Sequence, residues 1–345
     1  MSFYTSLARP LLFRLSAERA HDLARIALRR GWLWAPAGPL LRTADPGLRT
    51  QLCGLDLTSP VGLAPGLDKD GDLLGGLDHL GFGYIVVGSI TPLARAGNPR
   101  PRLVRYPDRL SIANSMGLPS VGVDEAVARL RVSRHHTPVI GSVCGFTADE
   151  VVETARAVEP HVAAVEIGLI CPNSTESDRM KSSEVFADLI TRLGRAHNKP
   201  LFVKLPSYST EEERAWVLGL VDACLAAGVE GLSVSGSRPV EEPALAMGRG
   251  SLAGRDVFTS SVDLVRDIAN NVGGAMAIKA AGGVFTGADV VTMLRAGATT
   301  VEVYSAFIYR GWGVARELSG QLSRELARSG AATVGDVAAA PTEVT

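Results

Sequence analysis

At 345 residues, 46% hydrophobic and 21% charged, the chain has the composition of a globular protein able to bury a large α/β core. A formal net charge of −1 provides no whole-molecule field for nucleic acid or any other polyanion. Cys53, Cys144, Cys171 and Cys224 form no CxxC or Cys/His cluster, which argues against a disulfide framework and a metal site and points to a reducing compartment.

The first element expected is a helical extension over residues 1–45. Up to residue 42 it places apolar residues at helical spacing and carries seven arginines (Arg9, Arg14, Arg19, Arg25, Arg29, Arg30, Arg42) against Glu18 and Asp22, a surplus of five positive charges. This predicts a basic amphipathic pair of short helices capped near Ser16. Two readings stand: a lid packed on the main domain, or a helix pair that lays its apolar face on the anionic inner surface of the cell membrane. No stretch resembles a cleavable signal, and no apolar run approaches the roughly 18 residues of a spanning helix. The expected location is the cytoplasm, peripheral on the membrane in the second reading.

From residue 46 to 327, strand and helix signals alternate. Strand candidates begin at Pro60 ("PVGLAPG"), Tyr84 ("YIVVGSI"), Pro138 ("PVIGSVCG"), Ala163 ("AAVEIGLI"), Leu201 ("LFVKLP"), Gly231 ("GLSVSG"), Ala275 ("AMAIKAAGG") and Thr300 ("TVEVYSAF"). Between them lie amphipathic stretches such as "ADEVVETARAV" and "EEERAWVLGLVDACLAAG". Near-continuous apolar strands joined by helices mean a parallel sheet, and eight such units predict a closed (β/α)8 TIM barrel, an α/β fold, behind the helical extension. The Pro/Gly-punctuated stretch "RLVRYPDRLSIANSMGLPS" is expected to be a long active-site loop. Residues 328–345 lack apolar periodicity and are expected to form a flexible tail.

In such a barrel the chemistry sits where strands end at the C-terminal face. The residues there are Ala64, Gly66 and Lys69; Ser89; Cys144; Cys171, Asn173 and Ser174; Lys204; Ser235; Gly282 and Gly283; Tyr304 and Ser305. Glycines ending strand seven, before a helix start at "TGADVV", suit a phosphate held by backbone N–H groups, although turns need glycine anyway. Lys69 and Lys204 end apolar strands, where a positive charge calls for an anionic partner unless it reaches solvent along its stem. Cys171, in "LICPNS", would on composition alone be packing filler. The six histidines sit away from the strand ends and receive no role.

The blocks "GLAPGLDKDG", "GFGYIVVGSITP", "NPRPRLVRYPD", "NSMGLPSVGVD", "CPNS", "FVKLP" and "VEVYSAFIYRG" together resemble the dihydroorotate dehydrogenases, over about Phe3 to Arg316. The N-terminal "LSAERAH" resembles the membrane-associated, quinone-reducing branch. The resemblance implies a (β/α)8 barrel holding FMN, a dihydroorotate-like small carbonyl or pyrimidine substrate that loses a hydride to flavin N5 and a proton to a base, and a quinone acceptor. It puts Cys171 at the base position, with Lys69 near flavin and substrate and able to stabilise the thiolate. It puts Lys204 beside the flavin N1/C2 edge. Ala64, Gly66, Ser89 and Ser235 approach the flavin, Gly282, Gly283, Tyr304 and Ser305 hold its phosphate, and Asn114, Asn173 and Ser174 meet the substrate.

The chain also departs from that pattern. Cysteine as base marks the soluble branch, whereas the N-terminus resembles the quinone-linked one. Gly168 and Gly236 stand where the family has substrate-binding asparagines, Ser115 replaces an arginine, Phe146 a lysine and Ala306 a glycine. An alternative therefore keeps the flavin and Cys171 but acts on another small carbonyl or heterocycle. A remote one treats "AIKAAGGV" as the Schiff-base motif of an aldolase with Lys279 as its amine.

Overall fold

The computed structural model describes residues 3–168, 183–194 and 197–339. Eight parallel strands close into a barrel: β1 (Val61–Leu63), β2 (Ile85–Ile90), β3 (Val139–Val143), β4 (Ala164–Gly168), β5 (Leu201–Leu205), β6 (Gly231–Ser235), β7 (Ala277–Ala281) and β8 (Thr300–Val303). They pair in that order, β8 returning to β1 through Val301 opposite Val61. Each falls within one of the eight expected apolar runs, and the fold is a (β/α)8 barrel with an N-terminal helical extension.

Alternate residues of a strand face opposite sides. One set, including Val61, Leu63, Val87, Val165, Val203, Leu232 and Ile278, is buried against the surrounding helices. The other points into the barrel, and its lower layer of Tyr84, Val86, Ile140, Ala164 and Phe202 is closed from below by Leu52 and Leu57 of a two-stranded hairpin. Three of the crossover helices, Ala148–Val158, Glu211–Ala226 and Gly287–Arg295, open on reciprocal capping boxes made by Thr147 with Glu150, Thr210 with Glu213 and Thr286 with Asp289. Each box satisfies two otherwise orphaned N–H groups and fixes where the preceding loop leaves the barrel rim.

The long connection after β2 is not a loop. Leu103–Tyr106 and Ser111–Asn114 form an antiparallel hairpin that continues through Arg249–Gly254 to Arg238–Glu241, a four-stranded sheet. Its residues Leu103, Ile112, Asn114, Ser251 and Ala253 line the cavity at the barrel mouth. The "YPDR" turn between two short β-prone runs was the available signal. The expected tail also carries structure: Val334–Ala339 is a helix, with Val334 and Val337 buried.

The extension contains more than two helices. Helical turns run from Tyr4 to Leu12, a longer helix covers Ala17–Leu28 with Ser16 Oγ accepting from the Arg19 N–H at 3.3 Å, and further turns extend to Leu41. It docks on the barrel through close backbone approach, since a β-carbon at Gly76 would stand 2.3 Å from the Leu28 carbonyl oxygen. Much of its positive charge turns inward: Arg25 pairs with Asp70 at 3.0 Å and Asp72 at 3.2 Å, Arg29 with Asp72, and Arg42 approaches Asp78 at 3.8 Å. Arg14, Arg19 and Arg30 are exposed, and a set of apolar side chains turns outward beside them. Phe3, Leu7, Leu11, Leu23, Ile26, Trp32, Leu33 and Leu40 are eight of the eleven exposed large hydrophobic side chains among the described residues. No described helix is long and apolar enough to cross a membrane.

Candidate active site

A cavity of about 310 Å³ opens at the C-terminal ends of the strands, roofed by the four-stranded sheet. The loop after β1 brings Ala64, Gly66 and Lys69 to it, β2 brings Ser89, the sheet brings Asn114, and β5 and β6 bring Lys204 and Ser235. Gly282 and Gly283 follow β7, and Tyr304 and Ser305 follow β8. The described residues expected to hold the cofactor, together with Asn114, therefore line one space, as do Cys144 and Gly168, whereas Ser115, Phe146 and Gly236 do not line it. Cys171, Asn173 and Ser174 lie outside the described residues.

Lys69 owes its place to its neighbour. Asp68 is fully buried and its Oδ1 accepts from the N–H groups of Asp70, Gly71 and Asp72 at 3.3, 2.8 and 3.1 Å, while Oδ2 accepts from Leu73 N–H at 3.0 Å. Burial outweighs these donors and pushes its carboxyl up to about 6. This nest fixes the turn that presents Lys69. At Gly66, whose φ is +112°, a β-carbon would stand 3.7 Å from both Lys69 Nζ and the Tyr304 ring, inside the cavity itself. Burial also pushes the Tyr304 phenol up to about 12, which keeps it neutral.

At the far end, Asp289 ties the turn after β7. It accepts from Phe285 and Thr286 N–H at 2.8 Å each and from Arg255 at 2.7 Å, and Arg255 also donates to the Gly283 carbonyl at 3.3 Å. Arg255 escapes sequence reading because its partners are about 30 residues away. Asn114 donates its Nδ2 to the Ser251 carbonyl at 3.2 Å, which orients the amide at the roof.

The barrel interior below the cavity is polar. Lys279 Nζ donates to Glu166 Oε2 at 2.7 Å and Glu302 Oε1 at 3.1 Å, Ser233 Oγ donates to Glu166 Oε2 at 2.5 Å, and Tyr84 Oη donates to Glu302 Oε1 at 3.2 Å. All are buried. Burial opposes charge on both Lys279 and Glu166, but their attraction wins: the lysine is raised from its ordinary value and Glu166 is held down at about 2, with Lys204 contributing. An ammonium clamped between two carboxylates is not the neutral amine a Schiff base requires, and the aldolase reading fails on that ground.

The departures have local reasons. Ser115 is buried and its Oγ accepts from Asn98 Nδ2 at 3.1 Å. The Phe146 ring lies 4.6 Å from the Arg95 guanidinium. Gly236 has no room for a side chain, since a β-carbon would meet Ser261 Oγ at 2.1 Å, whereas at Gly168 the described neighbours, Val143 O, Cys144 Cβ and Ser89 Oγ, stand at ordinary distances of 3.5 to 3.9 Å.

A second cleft of about 190 Å³ runs between the Ala17–Leu28 helix and the barrel. It shares Lys69, Leu103, Met116 and Pro119 with the main cavity and adds Glu18, His21, Arg25 and Arg102. His21, which sequence reasoning left without a role, is pushed down to about 4 by burial and then by the charge of Lys69 and Arg25.

Comparison with known proteins agrees with this picture. A family model described as "Dihydroorotate dehydrogenase" matches residues 47–326. Curated relatives include a dihydroorotate dehydrogenase (quinone) of Methylococcus capsulatus, 36% identical with 91% of this chain and 97% of the relative covered. Another, from Myxococcus xanthus, is 35% identical with 96% of each chain covered. Among solved structures, a DHODH of Eimeria tenella crystallised with ferulenol superposes with a TM-score of 0.80 at 29% identity, covering 93% of this chain and 94% of that one.

Proposed function

The chain belongs to the dihydroorotate dehydrogenase family, and on that basis we propose that it oxidises dihydroorotate to orotate with bound FMN and delivers the electrons to a quinone. The observation that carries the reading is the one cavity at the barrel mouth that gathers the ten residues expected to hold FMN, Lys69 among them, and Asn114. The relatives do not favour a different carbonyl substrate.

The cavity suits a flavin mononucleotide. Gly66 leaves free the volume its side chain would fill, Lys69 and Lys204 supply positive charge to opposite parts of the lining, and the turn at Gly282–Gly283 together with the start of the Ser305–Arg310 helix offers backbone N–H groups for a phosphate. When bound, the flavin supplies the acceptor for the hydride. Lys204 stabilises negative charge at its end of the cavity, and Asn114 orients the substrate from the roof. Lys69, held by the Asp68 nest, favours the ionised form of a thiol placed near it. Cys171, three residues beyond Gly168, takes the proton, a role assigned from its sequence motif.

The cleft behind the Ala17–Leu28 helix, which shares Lys69 with the main cavity, is the approach we assign to the quinone. The eight exposed apolar side chains of the extension are the surface we assign to peripheral contact with the inner face of the membrane. The test is turnover of dihydroorotate by the purified protein with a quinone, fumarate or NAD as acceptor, with the flavin released by denaturation and identified. Orotate formation with quinone and release of FMN support the reading; absence of flavin, or turnover with NAD alone, contradicts it.

A further inference from the structure

The described chemistry leaves one group of buried ionic residues without a task. Glu166, Lys279 and Glu302 sit in the barrel interior, at 0, 0 and 4% exposure, in strands that are otherwise apolar apart from Thr300. Charges in such a place are retained only when paired, and a buried pair is often no more stabilising than well-packed apolar side chains. Stability alone therefore gives weak reason for them.

Their position offers a better one. Lys279 and Glu302 reach the floor of the same cavity that Lys204 lines. On neighbouring strands Lys204 and Lys279 both register opposite Ser233, one on each side, and Gly168, two residues beyond Glu166 on the same face of β4, registers opposite Lys204. Lys204 is the second cation, after Lys279, acting on Glu166. Glu166 Oε1 has no hydrogen-bond partner among the described residues, so the carboxylate keeps an open acceptor toward a further cation. Lys204 is the other lysine whose charge acts on both carboxylates.

We infer that Lys279 is a positioning residue: by occupying Glu166 and Glu302 it leaves the Lys204 charge directed at the cavity, where it raises the reduction potential of the bound flavin. The inference rests on the proposed flavin-binding function. It counts charge, and so makes opposite predictions for the two partners. Lys279→Met leaves Glu166 to compete for Lys204, and the preference of the site for reduced over oxidised flavin falls about tenfold, as expected for one charge acting over about 12 Å at an effective dielectric constant near 20. For a two-electron couple that is a drop of about 30 mV. Glu166→Gln removes the competitor and raises the potential. Lys279→Met/Glu166→Gln together restore the balance and return it toward the parent value.

The experiment is reductive titration of the holoprotein against a reference dye for the parent and the three variants. A fall, a rise and a return, in that order, support the inference. If Lys279→Met does not fold, the rise in Glu166→Gln and the return in the double variant carry the test. A merely structural role moves every variant the same way or loosens the flavin in all of them, and either result overturns it, as does no movement in any. A parent protein that holds no flavin overturns the functional reading and this inference together; flavin-bearing variants with unordered potentials overturn this inference alone.

Discussion

The family resemblance puts Gly168 and Gly236 at the positions of substrate-binding asparagines, and their surroundings in the structure differ. At Gly168 a side chain meets its described neighbours at 3.5 to 3.9 Å, φ is ordinary, and the residue faces the cavity at the end of β4. At Gly236 a β-carbon lands 2.1 Å from Ser261 Oγ and 2.8 Å from its Cα, on a helix residue whose hydroxyl already donates to the Val257 carbonyl at 2.5 Å. Gly168→Asn should therefore fold at least as well as the parent, because replacing a compatible glycine removes about 0.4 to 1 kcal/mol of unfolded-state entropy. It should also add one substrate hydrogen bond, about 0.5 to 1.5 kcal/mol and hence up to roughly tenfold in affinity. Gly236→Asn should lose about 1 to 3 kcal/mol of stability to overpacking, with no gain in binding. Thermal unfolding and orotate titration, followed through the flavin absorbance, measure both. A Gly236→Asn protein as stable as the parent, or a Gly168→Asn protein that unfolds early, would refute this steric account.

Asp68→Asn keeps one acceptor but takes it from the Leu73 N–H or from the three donors on the other oxygen, and should cost about 1 to 3 kcal/mol; an unchanged denaturation midpoint would show that the nest does not hold the Lys69 turn. His21 titrates at about 4 in the folded chain against 6.5 unfolded, so its contribution is fully present above pH 6.5 and is lost as pH falls toward 4, by up to about 3 kcal/mol. His21→Gln should flatten that part of the stability profile, and an unaltered acid limb would contradict the assignment. Leu11, Trp32 and Leu40 are 56, 71 and 68% exposed, so changing all three to serine should leave the unfolding temperature nearly unmoved while reducing cosedimentation with anionic vesicles at least tenfold. Equal sedimentation would remove the extension from the membrane proposal.

The barrel was legible because its strands are short, apolar and buried on both faces, so that each run of Val, Ile and Leu stands out against the amphipathic helices around it. The rim residues followed, since a (β/α)8 barrel determines which end of each strand carries chemistry. The sheet over the mouth was missed because Leu103–Tyr106 and Arg238–Glu241 are half-buried or exposed and lack a continuous apolar run. The polar interior was missed for another reason. Glu166 and Lys279 are 113 positions apart, and nothing local reveals that they share a hydrogen bond. The partners of the basic extension were not legible either, because Arg25, Arg29 and Arg42 pair with Asp70, Asp72 and Asp78, which lie more than 30 residues along the chain.

The most direct test is anaerobic addition of dihydroorotate, one equivalent per bound flavin, to the purified protein without any electron acceptor. The account predicts loss of the oxidised-flavin absorbance in a single turnover, one orotate formed per flavin, and recovery of the absorbance on adding a quinone. A flavin that stays oxidised in the presence of dihydroorotate, or a protein with no flavin to bleach, would contradict it.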